Sequence, residues 1–136
     1  MPFVIDNSVI CGWFIGNQAT AYSDAIGARL FTDRCTAPAL LQLEFANVLR
    51  TACKRQRLGI EDARMAVDQI ESLPIDIDRE TPGPAAILSL ALRYDLSSYD
   101  AAYLELALRK QLPIATQDEA LREAAWAAGV GVVREK

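Results

Sequence analysis

Phe3-Val4-Ile5-Asp6-Asn7-Ser8 is a short apolar run that ends in a carboxylate and passes straight into a helix start. Its first three residues are aromatic or β-branched and read as a buried strand. Asn7-Ser8 open a helix whose apolar side carries Val9-Ile10 and Trp13-Phe14. A buried strand feeding directly into a helix belongs to an α/β fold with a parallel sheet. In such folds ligands bind beyond the carboxyl ends of the strands, which is where Asp6 stands. An Asx-turn or an N-cap would also account for an acid there.

The same junction recurs near the other end. Leu112 to Thr116 reads as a strand, Gln117-Asp118 follow, and a helix runs through Leu121, Ala124, Ala125 and Ala128. Asp118 thus repeats the position of Asp6, although Thr116-x-x-Glu119 is a capping box that would put it in a first helical turn. Between the two junctions the pattern alternates. A helix spans Ala21 to about Thr32, and Cys35-Thr36-Ala37 is a short strand stopping at Pro38. Leu41, Phe45, Val48, Leu49 and Ala52 then share a helical stripe. Glu44, Asn47 and Thr51 form a polar strip beside it, so Glu44 lies at the margin of the buried face and, taken alone, reads as a flanking solvated acid. Lys54-Arg55-Gln56-Arg57 close this helix, and Gly59 is expected to supply a left-handed cap. With Arg50, these cations are also the densest basic patch available for phosphates.

Glu61 to Leu73 predicts a helix with Ala63, Ala66, Val67 and Ile70 inward. Pro74 to Asp78 reads as a strand, with Asp76 and Asp78 at a solvated edge and turn. Thr81, ahead of two prolines, reads as the start of a helix reaching Tyr94-Asp95. Gly129 to Val133 is a final strand. The sum is a single domain, residues 1–136, of three α/β/α layers around a mostly parallel sheet of about five short strands.

The last helix of interest is Leu96-Ser97-Ser98-Tyr99-Asp100-Ala101-Ala102-Tyr103-Leu104-Glu105-Leu106-Ala107. Asp100 shares a face with Leu104, Ala107 and Leu108, so a carboxylate heads an inward stripe. Ser97-x-x-Asp100 approximates a capping box, and the macrodipole favours an acid there. Right-handed crossovers put Asp6 and Asp118 on one sheet edge, facing each other if their strands are neighbours. Helices placed like those of Glu44 and Asp100 normally start near opposite edges, so topology alone does not bring these two together.

The composition narrows the chemistry. The chain has no histidine, which removes Ser-His-Asp and Cys-His catalysis, histidine bases and histidine metal ligands together. Cys11, Cys35 and Cys53 form no CxxC spacing, so neither a zinc site nor a disulfide framework is expected. The net charge of −4 gives no global attraction for nucleic acid. No apolar run is long enough to span a bilayer, and the N-terminus has no basic region, so a cytoplasmic protein is expected. Gathered carboxylates raise one another's pKa, and a divalent cation removes that conflict. An all-oxygen donor set suits Mg²⁺ or Mn²⁺, which activates water and stabilises charge on a phosphoryl oxygen.

Phe3 to Ser8, Pro38 to Leu49 with Glu44-Phe45-Ala46-Asn47, Ser98-Tyr99-Asp100-Ala101-Ala102-Tyr103 and Ala115-Thr116-Gln117-Asp118 together resemble the PIN-domain nucleases. The order and spacing look most like the VapC-type toxins of toxin–antitoxin pairs, over essentially the whole chain. The resemblance implies a metal-dependent endoribonuclease with Asp6, Glu44, Asp100 and Asp118 as the acid site. Asp6 and Asp100 would be direct metal ligands, with Glu44 and Asp118 completing the set directly or through water. Ser8 and Thr116 match small hydroxyl residues lining that pocket. It further implies an RNA substrate, with tRNA and rRNA as candidates, a homodimer, and a cognate antitoxin. Trp13 and Tyr22 are the aromatic candidates for an exposed dimer surface, or else core. Two other readings stay open: a Mg²⁺-dependent phospho-acceptor signalling domain, and an inactive binding module whose acids only cap helices.

Overall fold

The computed structural model describes residues 1–80 and 82–135. Four parallel strands, β1 (Phe3–Ile5), β2 (Cys35–Pro38), β3 (Ile75–Asp78) and β4 (Ile114–Ala115), lie in the order β3-β2-β1-β4. Seven helices join them: α1 (Asn7–Phe14), α2 (Ala21–Arg29), α3 (Leu40–Lys54), α4 (Ile60–Ser72), α5 (Pro84–Tyr94), α6 (Ser98–Lys110) and α7 (Glu119–Ala127). Val4 pairs with Thr36 on one side and Ile114 on the other, so β1 is central. All three of its residues are buried, as a strand covered on both faces requires.

The chain steps outward from β1 through β2 to β3, then jumps back to β4. Right-handed crossovers therefore place α1 to α4 on one face and α5 to α7 on the other. The packing agrees: α1 lies on α2 and α3, and α3 on α4 and β2, while α6 covers β1, β2 and β4 between α5 and α7. This reversal of direction leaves a switch point between the carboxyl ends of β1 and β4.

Several expectations need correction. The strand at Gly129 to Val133 shrinks to a single bridge, Ile114 with Val132. Gly129 and Gly131 adopt φ of 84° and 78°, and the amides of Val130 and Gly131 both return to the carbonyl of Ala125 at the end of α7. Those amides are withdrawn from the ladder, so the sheet has four strands rather than five. The left-handed residue after α3 is Gln56, φ 59°, not Gly59, which instead heads α4 with φ −73°. The amide of Arg57 reaches the carbonyl of Ala52, which closes the helix before Gly59 is reached. Val67 is exposed, so the inner stripe of α4 is narrower than its apolar pattern. Thr81 lies outside the described residues, and α5 starts at Pro84 behind Gly83.

Trp13 and Tyr22 are not an exposed aromatic surface. The Trp13 indole donates to the carbonyl of Ser23, the Tyr22 hydroxyl donates to the carbonyl of Val133, and both rings pack on the core. All three cysteines are free, with Cys11 and Cys35 buried. Among the described residues no helix is long and apolar enough to cross a membrane.

Candidate active site

Asp6 closes β1 and caps α1. Its side chain is 4 % exposed yet fully hydrogen-bonded. Oδ1 accepts from the Ser8 hydroxyl at 2.5 Å and the Ser8 amide at 3.1 Å, and Oδ2 accepts from the Thr116 hydroxyl at 2.5 Å. Thr116 Oγ1 in turn accepts from the amide of Asp118. The backbone joins in: the Asp6 amide donates to the carbonyl of Ala115. Gln117 completes the stitching, its amide donating to Ser8 Oγ and its side-chain nitrogen to the Ser8 carbonyl. Burial pushes the Asp6 carboxyl up to about 6, against the opposing pull of the Ser8 and Thr116 hydroxyls. The expected capping box at Thr116 does not form. Thr116 spends its hydroxyl on Asp6, and Asp118 itself caps α7 through the amide of Leu121.

Glu44 and Asp100 arrive from opposite layers. α3 starts directly after β2, so Glu44 in its second turn stays near the carboxyl edge. α6 must finish where β4 begins, so it runs antiparallel to the strands and its head is also at the carboxyl edge. The expectation of opposite edges fails because α3 leaves the carboxyl end of β2 while α6 leads into the start of the parallel strand β4, so both helices begin at the same edge. Asp100 is half-buried in the first turn of α6, whose N-cap Ser97 accepts from the Asp100 amide at 3.1 Å. Burial first, then the charges of Asp118 and Glu44, raise its carboxyl above the ordinary value. Asp100 acts in the same direction on Asp6. The four acids named from the sequence thus share one electrostatic neighbourhood at the switch point.

Tyr103 is the residue that sequence reasoning missed. It is 1 % exposed, and its hydroxyl donates to Glu44 Oε1 at 2.6 Å, tying α6 to α3. Burial and that bond hold its phenol far above the usual range. The available signal was a tyrosine on the inner face one turn after Asp100, since a buried hydroxyl needs a partner. Gln117 gave no comparable signal.

No lysine or arginine forms an ion pair with Asp6, Glu44, Asp100 or Asp118 among the described residues. One further acceptor, Asn7 Oδ1, is buried beside Asp6 without a hydrogen-bond donor. An acidic, all-oxygen neighbourhood with an orphaned acceptor next to Asp6 in the chain fits a hard divalent cation. Among the described residues, however, no three acids or cysteines stand close enough together to enclose an ion by themselves. The fit is therefore to an ion such as Mg²⁺, which keeps several waters and takes only one or two carboxylates directly.

Residues 3–127 match the PIN domain family. The chain belongs to the PIN-domain family. This PIN domain is also 30 % identical over 123 residues to proteins named ribonuclease VapC1 from two strains of Mycobacterium tuberculosis, CDC 1551 / Oshkosh and ATCC 25618 / H37Rv. The alignment covers 89 % of this chain and 89 % of each relative. Its fold is similar to the crystal structure of PAE2754 from Pyrobaculum aerophilum, with a TM-score of 0.71 over 91 % of this chain and 84 % of that one, at 21 % identity. The PIN domain thus has the VapC-type sequence and fold expected from its four acidic segments.

Proposed function

We propose that this PIN domain is a metal-dependent endoribonuclease toxin, held in check by a cognate antitoxin and acting in the cytoplasm as a homodimer. The proposal rests on one observation: acids from both helical layers share one electrostatic neighbourhood at the β1/β4 switch point, and none of them forms an ion pair among the described residues. The relationship to proteins named ribonuclease VapC1 supplies the substrate class, RNA. Asp6 and Asp100 are the residues to hold Mg²⁺ or Mn²⁺ directly, with Glu44 and Asp118 acting directly or through water. When bound, such an ion supplies an activated water and stabilises charge on a phosphoryl oxygen.

The chain's own residues set up that chemistry. The Ser8 and Thr116 hydroxyls fix both oxygens of Asp6, so the carboxylate is oriented before any ligand arrives. Tyr103 fixes one oxygen of Glu44 and leaves Oε2 free to accept from a water. The raised carboxyls of Asp6 and Asp100 are ready to exchange protons for a cation as pH rises. The test is cleavage of labelled tRNA and rRNA fragments by purified protein with Mg²⁺ or Mn²⁺. Activity should vanish with EDTA and in Asp100→Asn. Undiminished cleavage by a folded Asp100→Asn protein overturns the assignment.

A further inference from the structure

The function proposed above leaves unexplained how an acidic chain with an acidic centre attracts a polyanion. Arg50, Lys54, Arg55 and Arg57 are exposed, and none has an acidic partner within ion-pair distance among the described residues. Arg29, Arg34, Arg64, Arg109 and Lys110, by contrast, stand against carboxylates, whereas the cations without an ion pair outside this patch, such as Arg93 and Arg122, are scattered singly along the chain.

This patch is joined to the acid site by one face of α3. Glu44, Asn47, Thr51 and Arg55 recur at helical spacing along the side of the buried stripe. From Glu44 to Arg55 the strip covers about 16 Å of helix axis. Its far end is a cavity of about 230 Å³ between the end of α1 and α3, where Gln18, Asn47, Thr51, Arg55 and Arg57 surround an apolar floor of Ile15, Val48 and Ala52. The lining offers amide and hydroxyl donors followed by two guanidinium groups, which is the donor set that positions a phosphate backbone without reading bases.

Resting on the nuclease reading above, we propose that single-stranded RNA leaves the acid site along this face of α3, its phosphates held by Asn47 and Thr51 and then by Arg55 and Arg57. The two arginines supply binding at a distance from the reacting bond. They are positioning residues for the substrate strand and have no part in the chemical step.

The experiment is steady-state cleavage of a short 5′-labelled single-stranded oligoribonucleotide across a series of salt concentrations. R55A/R57A should raise KM about tenfold and flatten the logarithmic salt dependence by about 1.4, two phosphate contacts at about 0.7 each. The turnover number should stay at the wild-type value. R93A, which removes an equally unpaired cation from the end of α5, should change neither quantity. R55K/R57K should restore the salt slope. If the double variant fails to fold, R55A and R57A singly should each show half of the slope change. Wild-type KM and salt slope in a folded, active R55A/R57A overturn the RNA track while leaving the nuclease reading intact, and point to an acidic protein segment as the occupant. Absence of cleavage by the wild-type chain overturns the nuclease reading, and the track with it.

Discussion

Two groups of acids in this molecule have opposite surroundings. At the end of α6, Asp78, Glu80 and Glu105 converge on Arg109, whose guanidinium makes two bonds to Asp78 and two to Glu105. Those bonds hold the Asp78 carboxyl below the ordinary carboxylate range. At the head of the same helix, Asp100 shares the neighbourhood of Asp118, Glu44 and Asp6, and none of the four forms an ion pair among the described residues. The Arg122 guanidinium nearby donates to the Thr116 carbonyl instead, and the Asp6 and Asp100 carboxyls rise. A fold that only needed stability would supply a cation at both places. Leaving one acid group uncompensated is destabilising in the free chain and is what a site awaiting an exogenous cation requires.

The contrast is sharpest in Asp6. Its folded value of about 6 lies above the ordinary 3.8, so the folded chain holds this proton more tightly than the unfolded one. The stabilisation is full below about 3.8 and is lost as pH rises through about 6. Asp6→Asn removes that dependence. Relative to the parent, the variant should gain up to about 3 kcal/mol at pH 7.5 and almost nothing at pH 3.5, while losing cleavage activity. Urea unfolding at the two pH values measures this; a pH-independent difference contradicts the burial argument.

Supplying the missing charge should do for the site what Arg109 does at the other end. Mn²⁺ at a hundred times its dissociation constant should stabilise the wild-type chain by about 2.7 kcal/mol, read as a rise in melting temperature. The same addition to Asp100→Asn should give much less. Equal shifts in both proteins would mean that the ion binds elsewhere. Breaking the balanced group gives the converse. Arg109→Ala should lower stability by about 2 kcal/mol, between the values for surface and buried pairs, and leave turnover per folded molecule unchanged. The smallest expected change belongs to Tyr103→Phe. Losing the hydrogen bond to Glu44 should weaken Mn²⁺ binding about tenfold, as outer partners of metal ligands do, while Mn²⁺ bound at saturation still supports cleavage. Calorimetric titration that finds no change would reduce Tyr103 to a packing residue.

Much of this was legible in the chain because burial leaves a mark on composition. Phe3-Val4-Ile5 and Ile114-Ala115 are strands buried on both faces, so their apolar runs stop abruptly and the acids after them stand out. Parallel topology put both acids on one sheet edge, but that β1 and β4 are neighbours comes from the observed strand order. Glu44 was read as marginal to the buried stripe of α3, and it is half-buried there. What the sequence concealed depends on partners far along the chain. Asp78 looked solvated because Arg109 is thirty-one residues away. Tyr103 was passed over because nothing local identifies Glu44, fifty-nine residues away, as its acceptor. The left-handed turn at Gln56 was hidden by a glycine nearby, since composition marks where such a turn is easy and not where it occurs. The approach of Glu44 to Asp100 required the direction of α6, which follows from its leading into the start of the parallel strand β4.

The hydroxyl and amide bonds between Asp6-Asn7-Ser8 and Thr116-Gln117-Asp118 have a consequence for biosynthesis. Ser8 holds one oxygen of Asp6 from two residues away, but the hydroxyl that holds the other is separated from it by 110 residues. During translation, an emerging polypeptide that has released β1, α1 and the whole of α3 still lacks that second partner. Full assembly waits until Asp118 clears the ribosome. Any activity that depends on this site would therefore be withheld from the very machine that is making it until both sequence-distant halves of the site have emerged.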